Sequence, residues 1–468
     1  MHLEIKEPSS NMKLRILNIF ASLLITACAI TSCLDDYDTE YELSADACIT
    51  AFSIKDSIIT YYQSKIGDKD TTLSTAVVGA EYPFIISHTD GLIYNPDSLP
   101  YGTDVSKVVV DIISDYYLYI VAETDSLWEQ KDSLNFEQPI QFKVLAQNGV
   151  FGRTYTAKIN VHQQDPEVMT WEKMNNNFST EIKAQKAIYT NKQIYVFAEQ
   201  GSKVAMTCTT DGKVWSDLKA IDIPIKADYS SVMAWGNQFY ILANQELYTS
   251  TNGLNWNKVE TGVSIARLLA NSQTANSQKI MGIDTDNYFI GSEDGILWNR
   301  YEAVPESFPT TKTSYVSYEL DTNSEISRTI LVGNDELSTD TTTSAWMQIS
   351  TENSWNELYL ERQIFACPKL ENLSLIRYNN LLYIFGGPGR RNSDIAPFSN
   401  FFASEDSGIT WKIINKNVMF PDEFEDLYEQ TDGQFSFVVD DNQYLWIIWS
   451  QIGEVWRGRI NKLGFDKQ

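Results

Sequence analysis

Four short segments of this chain repeat one pattern, at a spacing that few folds can use. They are Thr209-Thr210-Asp211-Gly212-Lys213-Val214-Trp215, Ser250-Thr251-Asn252-Gly253-Leu254-Asn255-Trp256, Ser292-Glu293-Asp294-Gly295-Ile296-Leu297-Trp298 and Ser404-Glu405-Asp406-Ser407-Gly408-Ile409-Thr410-Trp411. The physics of the pattern is a turn. The Asp or Asn oxygen accepts backbone N–H groups, Gly takes the left-handed conformation, and Trp opens the next strand and wedges between sheets. A degenerate fifth copy ends at Trp355, and Trp171 stands upstream. The tryptophans at 171, 215, 256, 298, 355 and 411 are separated by roughly 40 to 57 residues, enough for four strands and their turns each.

Hairpin patterns fill those intervals. They run over 187–197, 232–242, 268–283, 315–332, 375–385 and 435–449, with turn residues Asn191-Lys192, Gly236-Asn237, Asn379-Asn380 and Asp441-Asn442. The chain finishes with three strands and no box, while Thr170-Trp171-Glu172 begins as a lone strand. Pairing that strand with residues 454–460 completes a sixth sheet and leaves no open edge. The expectation is a six-bladed β-propeller over 166–468. A seven-bladed ring stays open, using part of the longer intervals.

A chain of 468 residues needs more than one domain. Residues 46–163 alternate apolar and polar positions in short runs, among them Ile49–Ile54, Val108–Ile112 and Ile140–Val144. Asn148-Gly149 marks a hairpin turn, and Tyr155, Ala157, Ile159 and Val161 share one face. These runs predict an immunoglobulin-like β-sandwich, without a Cys-Trp-Cys pattern. Asp165-Pro166 marks the boundary. The fold class is therefore all-β, a sandwich followed by a propeller.

The start of the chain reads as an export signal. Met12 is the better start, and Lys13 and Arg15 precede an apolar run to Ile30 that is too short and interrupted for a membrane span. Ile30-Thr31-Ser32-Cys33 resembles the lipobox of bacterial lipoproteins. That resemblance implies cleavage after residue 32, lipidation of Cys33 and stable anchoring by several acyl chains. Ile25-Thr26-Ala27-Cys28 is a competing box. The acidic tether over 33–45, Leu34-Asp35-Asp36-Tyr37-Asp38 and onward, resembles the surface-export signal of Bacteroidota-type lipoproteins. It implies the outer membrane, facing the cell exterior, with the periplasmic face as the alternative.

The chain as a whole, from lipobox through sandwich and boxed propeller to Val455-Trp456-Arg457-Gly458-Arg459, resembles a Bacteroidota-type lipoprotein family with no assigned activity. The boxes themselves are Asp-boxes of the kind found in sialidase-like propellers. Asp211, Trp215, Asn252, Trp256, Asp294, Trp298, Asp406 and Trp411 would be structural in that pattern.

Several chemistries are disfavoured by the residues. A formal charge of −26 repels nucleic acid, and membrane attachment is expected through the lipid anchor only. The three histidines are His2, His88 and His162, so the propeller lacks a His-based nucleophile system and a His-ligated zinc. The five cysteines show no disulfide framework or metal spacing, and no cofactor motif is visible. Residues 184–218 contain no Arg, which argues against a sialidase arginine cluster.

What remains is binding. Loops between second and third strands emerge opposite the boxes, and the one over 386–398 is enlarged. The expected ligand face carries Glu199, Gln245, Asp335, Arg390, Arg391 and Trp449, amides and charges with one aromatic suited to a sugar or peptide. The leading expectation is a non-catalytic binding or scaffold module for a glycan or protein ligand. The alternatives are a glycan hydrolase or lyase with a carboxylate pair, and a structural component of an outer-membrane complex.

Overall fold

The computed structural model describes residues 43–45, 47–66, 69–121, 124–223, 226–309, 312–334, 341–358, 365–390, 394–414 and 418–464. Two compact units divide at Val161 and His162. Among the described residues strands dominate, with one α-helix, Glu423–Gln430.

The N-terminal unit holds a six-stranded sheet in the order Ile85–Ser87, Leu92–Tyr94, Phe151–Lys158, Ile140–Leu145, Leu118–Ile120, Ser126–Leu127. Ile49–Ile54 pairs antiparallel with Val110–Ser114, and Ser57–Ile66 forms a long hairpin with Lys69–Val78. Period-two alternation is the reason these segments bury one face. Phe142 and Val144, Tyr155 and Ala157, Val110 and Ile112 are all buried in one core. The turn at Asn148-Gly149 forms because Gly149 takes φ 81° and the Asn148 side chain accepts the Val150 N–H. Buried Asn95 gives and takes hydrogen bonds with the Asn160 backbone, pinning two connections together.

The C-terminal unit is built from six four-stranded antiparallel sheets among the described residues. Sheet I comprises Gln185–Thr190, Gln193–Gln200, Lys203–Thr209 and Lys219–Ala220. Sheet II comprises Ala227–Trp235, Gln238–Ala243, Glu246–Ser250 and Asn257–Val259, and sheet III Ile265–Gln273, Gln278–Asp284, Tyr288–Ser292 and Asn299–Ala303. Sheet IV comprises Ser314–Leu320, Asn323–Gly333, Ser344–Ile349 and Asn356–Glu357, and sheet V Ser374–Tyr378, Leu381–Phe385, Phe402–Ser404 and Lys412–Ile413. Sheet VI joins Phe435–Val439, Leu445–Trp449 and Glu454–Ile460 to Met169–Lys173 from the start of the unit, with Trp171 opposite Gly458. First strands of successive sheets lie together from I to V, and that of VI lies on that of I. This is a β-propeller.

The repeated turns connect the third and fourth strands of their sheets. Asp211 Oδ1 accepts the N–H groups of Lys213 and Val214 at 2.8 and 3.0 Å. Asn252 does the same for Leu254 and Asn255, Asp294 for Ile296 and Leu297, and Asp406 for Ile409 and Thr410. In each turn the hydroxyl of the leading Ser or Thr accepts the Gly N–H, and the Trp indole donates to the Gly carbonyl. The Trp then packs against the preceding sheet: Trp215 shares a core with Trp446 and Ile448, Trp256 with Phe197, Trp298 with Tyr240. Gly212 is required twice over. It sits at φ 72°, and a Cβ there would drive into the Trp446 ring.

The junction of sheets V and VI is different. Phe385, Phe398, Phe401, Phe420, Phe424 and Trp449 form one aromatic core. Helix Glu423–Gln430 contributes to it, because Phe424, Leu427 and Tyr428 fall on one face, and its acidic first turn suits the positive end of the helix dipole. Nothing in the repeat signals this helix, which the sequence reading did not anticipate.

Candidate functional site

The first strands of the six sheets enclose a cavity of about 700 Å³. Its wall is stitched by side chains at every junction. Lys186 of sheet I donates to the Ser230 carbonyl of sheet II at 2.7 Å. Asn271 of sheet III donates to the Ala234 carbonyl of sheet II at 2.9 Å and to the Tyr315 hydroxyl of sheet IV at 3.0 Å. Ser317 of sheet IV donates to the Asn271 carbonyl at 2.5 Å. Ser314 accepts the Leu375 N–H of sheet V at 2.9 Å. Asn372, just ahead of sheet V, reaches the Gly433 carbonyl ahead of sheet VI at 3.1 Å, and Gln185 of sheet I reaches the Ile448 carbonyl of sheet VI at 2.9 Å.

Each of these bonds ties one sheet to its neighbour, and Asn271 ties two, so the polar groups along the channel are held in place. The electrostatics follow from that enclosure. Burial pushes the Lys186 ammonium down to about 8, opposed by the Asp228 carboxylate. Burial lifts the Tyr315 phenol to about 12, against a hydrogen bond with the Asn271 backbone. Tyr229 at the rim is raised by burial first and then by Glu199 and Asp228. Arg267, also near Asp228, is lowered by burial. No group of three or more His, Cys, Asp or Glu side chains arranged to hold a metal occurs among the described residues.

The described residues expected on the ligand face lie at the ends of second strands or in the connections that follow them, apart from this channel. Glu199 pairs with Lys226 at 3.3 Å. Gln245 is exposed in a two-residue turn, with φ 66°. Arg390 lies in a segment bound back onto the chain, its N–H donating to the Lys369 carbonyl. Asp335, Arg391 and Cys33 lie outside the described residues. None of Glu199, Gln245, Arg390 and Trp449 lines the channel.

Trp449 requires a correction. It is fully buried, 0% exposed, with ring centroids 5.1 Å from Phe398 and 5.5 Å from Phe424. An indole at the end of a second strand packs inward when the neighbouring connection supplies an aromatic bed, and here that bed comes from the enlarged loop and the helix. The loop itself is only partly a surface feature: Phe398 and Phe401 turn into the core, and Phe401 stacks on Phe420 at 4.0 Å.

The channel residues were missed because they sit on the innermost strands, within hairpins recognised only as hairpins. A signal existed. The innermost strands each mix polar residues into their apolar runs, among them Lys186, Ser230, Asn271, Ser317, Arg377 and Ser436.

Residues 165–468 match the family model described as the DUF6242 beta propeller domain, and residues 52–159 match that of the DUF6242 N-terminal domain. No curated protein matches. Solved structures with a similar course include a DUF4623 family protein from Bacteroides eggerthii, 11% identical over 88% of this chain and 98% of that one, with a TM-score of 0.35. An auxiliary nutrient binding protein from Bacteroides ovatus is 8% identical over 73% and 90%, with a TM-score of 0.42. Virginiamycin B lyase from Staphylococcus aureus is 8% identical over 62% and 99%, with a TM-score of 0.39. Likenesses this distant carry no argument about activity.

Proposed function

This chain belongs to the DUF6242 family, and from that premise we propose that it is a non-catalytic binding module whose ligand, a glycan or a protein segment, enters the central channel. The observation that carries the reading is the channel itself: about 700 Å³, within the size range of small-molecule sites, with its wall tied at each sheet junction. Among the described residues its charged lining groups are cations, which supports binding over hydrolysis by a carboxylate pair.

The finer architecture belongs to the same reading. We take the C-terminal unit as six-bladed, on the strength of its six sheets and the pairing of Met169–Lys173 with Glu454–Ile460. The repeated turns act as Asp-boxes, and the N-terminal unit as an immunoglobulin-like sandwich. Lipid on Cys33 tethers the protein to the outer membrane, facing the exterior.

Three experiments test this. A glycan and peptide array probed with the wild type and with Gln434→Trp, a residue lining the channel, should show ligands lost on plugging; ligands indifferent to the plug would place binding elsewhere. Metabolic labelling with an alkyne fatty acid should mark the wild type and the Cys28→Ser variant but not Cys33→Ser. Protease shaving of intact cells should remove the labelled protein, and protection would indicate the periplasmic face.

A further inference from the structure

The channel's charge narrows what it can hold. We propose that the channel takes an anionic oligosaccharide, a hydroxyl-rich ligand of roughly di- to trisaccharide size bearing carboxylate or sulfate groups, with Lys186 and Lys312 as its charge partners. The inference rests on the reading of the channel as the binding site.

The chain has 62 acidic side chains against 36 basic ones. A wall drawn at that proportion would be mostly acidic. Instead the charged residues lining the channel, among those described, are Lys186, Lys312 and Arg377, all cations. The bias is opposite in sign to the rest of the molecule, and an anion is the ligand that such a bias selects.

The three cations differ in what they have left to give. Lys186 is the second residue of the innermost strand of sheet I and spends one N–H on the Ser230 carbonyl. An ammonium has three donors, so two remain. Its enclosure works against its own charge, a cost that an anion in the channel would relieve. Asp228 is the acid that acts on it. That carboxylate does not line the channel, and its Oδ1 already accepts the Ser230 N–H and hydroxyl at 2.9 and 2.6 Å. Lys312 precedes the innermost strand of sheet IV and is exposed, with φ 48°. Arg377 is more committed, stacked on Tyr318 at 4.4 Å and 3.7 Å from the exposed Asp321.

The rest of the lining suits a sugar better than a bare anion. Thr313 and Ser314 present hydroxyls, Gln434 an amide and Tyr229 a flat half-buried ring, while Ser230 and Ser317, whose O–H groups go to Asp228 and the Asn271 carbonyl, offer acceptor lone pairs. Hydroxyls and amides both donate and accept, as sugar hydroxyls do, while a simple inorganic anion would leave the acceptors unused.

The test is calorimetry at neutral pH with three probes: tri-galacturonate, a sulfated chondroitin disaccharide, and neutral galactotriose. At least one acidic probe should bind about tenfold more tightly than the neutral one. Lys186→Gln keeps a donor for the Ser230 carbonyl, and Lys312→Ala changes an exposed side chain, so each should fold. Each should weaken the acidic probe by roughly fivefold or more and the neutral probe by clearly less. Preference for carboxylate or sulfate identifies the anion. Equal binding of the neutral probe, indifference of the acidic probes to both variants, or no binding of either acidic probe at millimolar concentration overturns the proposal. Gln434→Trp separates the two claims. Neutral and acidic probes that bind equally and are all lost on plugging sink the charge inference and leave the channel as the site, whereas binding that survives the plug sinks the channel.

Discussion

The outer turns and the inner channel of the propeller obey opposite rules. The four turns around Asp211, Asn252, Asp294 and Asp406 repeat the same hydrogen bonds from sheet to sheet, down to the indole N–H on the Gly carbonyl. The stitches around the channel use no fixed residue: a Lys, an Asn, two Ser, another Asn and a Gln. Repetition marks what every sheet needs in order to fold. Divergence on a shared scaffold is what the proposed ligand site would require.

That contrast can be broken most forcefully at the V–VI junction, where an aromatic core lies behind the Asn372 stitch. Trp449→Ala should cost about 3–5 kcal/mol, because a wholly buried indole leaves a cavity among rings that cannot collapse. Denaturant unfolding measures it. A loss near zero would return Trp449 to the surface.

Smaller effects sharpen the repeat. Gly212→Ala should cost about 1–3 kcal/mol through its backbone conformation alone, and more from the Trp446 collision. Gly262→Ala, at φ 68° with open space around it, should show the backbone cost without the collision. If the two match, the turn does not lock onto the preceding sheet.

Asn252→Ala should cost about 1 kcal/mol for two lost backbone acceptor bonds, and Asn252→Asp should restore them. The acidic version adds a pH dependence. Backbone N–H groups of Val214 and then Lys213 hold the Asp211 carboxyl below its ordinary value. A depressed folded value means the contribution is present above the unfolded pKa near about 4 and is lost as pH falls through the folded one. Asp211→Asn should therefore flatten the stability profile below that point and leave neutral pH nearly unchanged. An unaltered acid profile would deny the turn its role.

The inner strands should respond the other way, in binding and not in stability. Lys312→Ala should alter stability by under about 0.5 kcal/mol while weakening an anionic probe. Affinity for that probe should also fall as pH rises through about 8, where Lys186, opposed only partly by Asp228, loses its proton. Affinity flat from pH 7 to 9 would remove Lys186 from the site.

Much of the fold was legible. The hairpin turn at Asn191-Lys192 has φ 49° and 60°, and that at Asn379-Asn380 has 47° and 60°. Such turns are written locally, in residues that tolerate the left-handed region. The candidate site was far less legible. Glu199, Gln245 and Arg390 were chosen by loop position, yet loop position does not say whether a side chain meets a neighbour or the cavity. Trp449 was misread for the same reason: its five-residue strand, Leu445–Trp449, is buried on both faces, so alternation gave no inward or outward sign.

The sequence alone carried the period, the turns and the pairing of the two ends of the propeller, since each depends on residues adjacent in the chain or on an unpaired strand needing a partner. Only the tertiary structure decided which polar residues face the channel and which aromatics are buried. Those outcomes depend on the angle between sheets and on helix Glu423–Gln430 filling one junction, and both are set by packing among residues far apart in the chain.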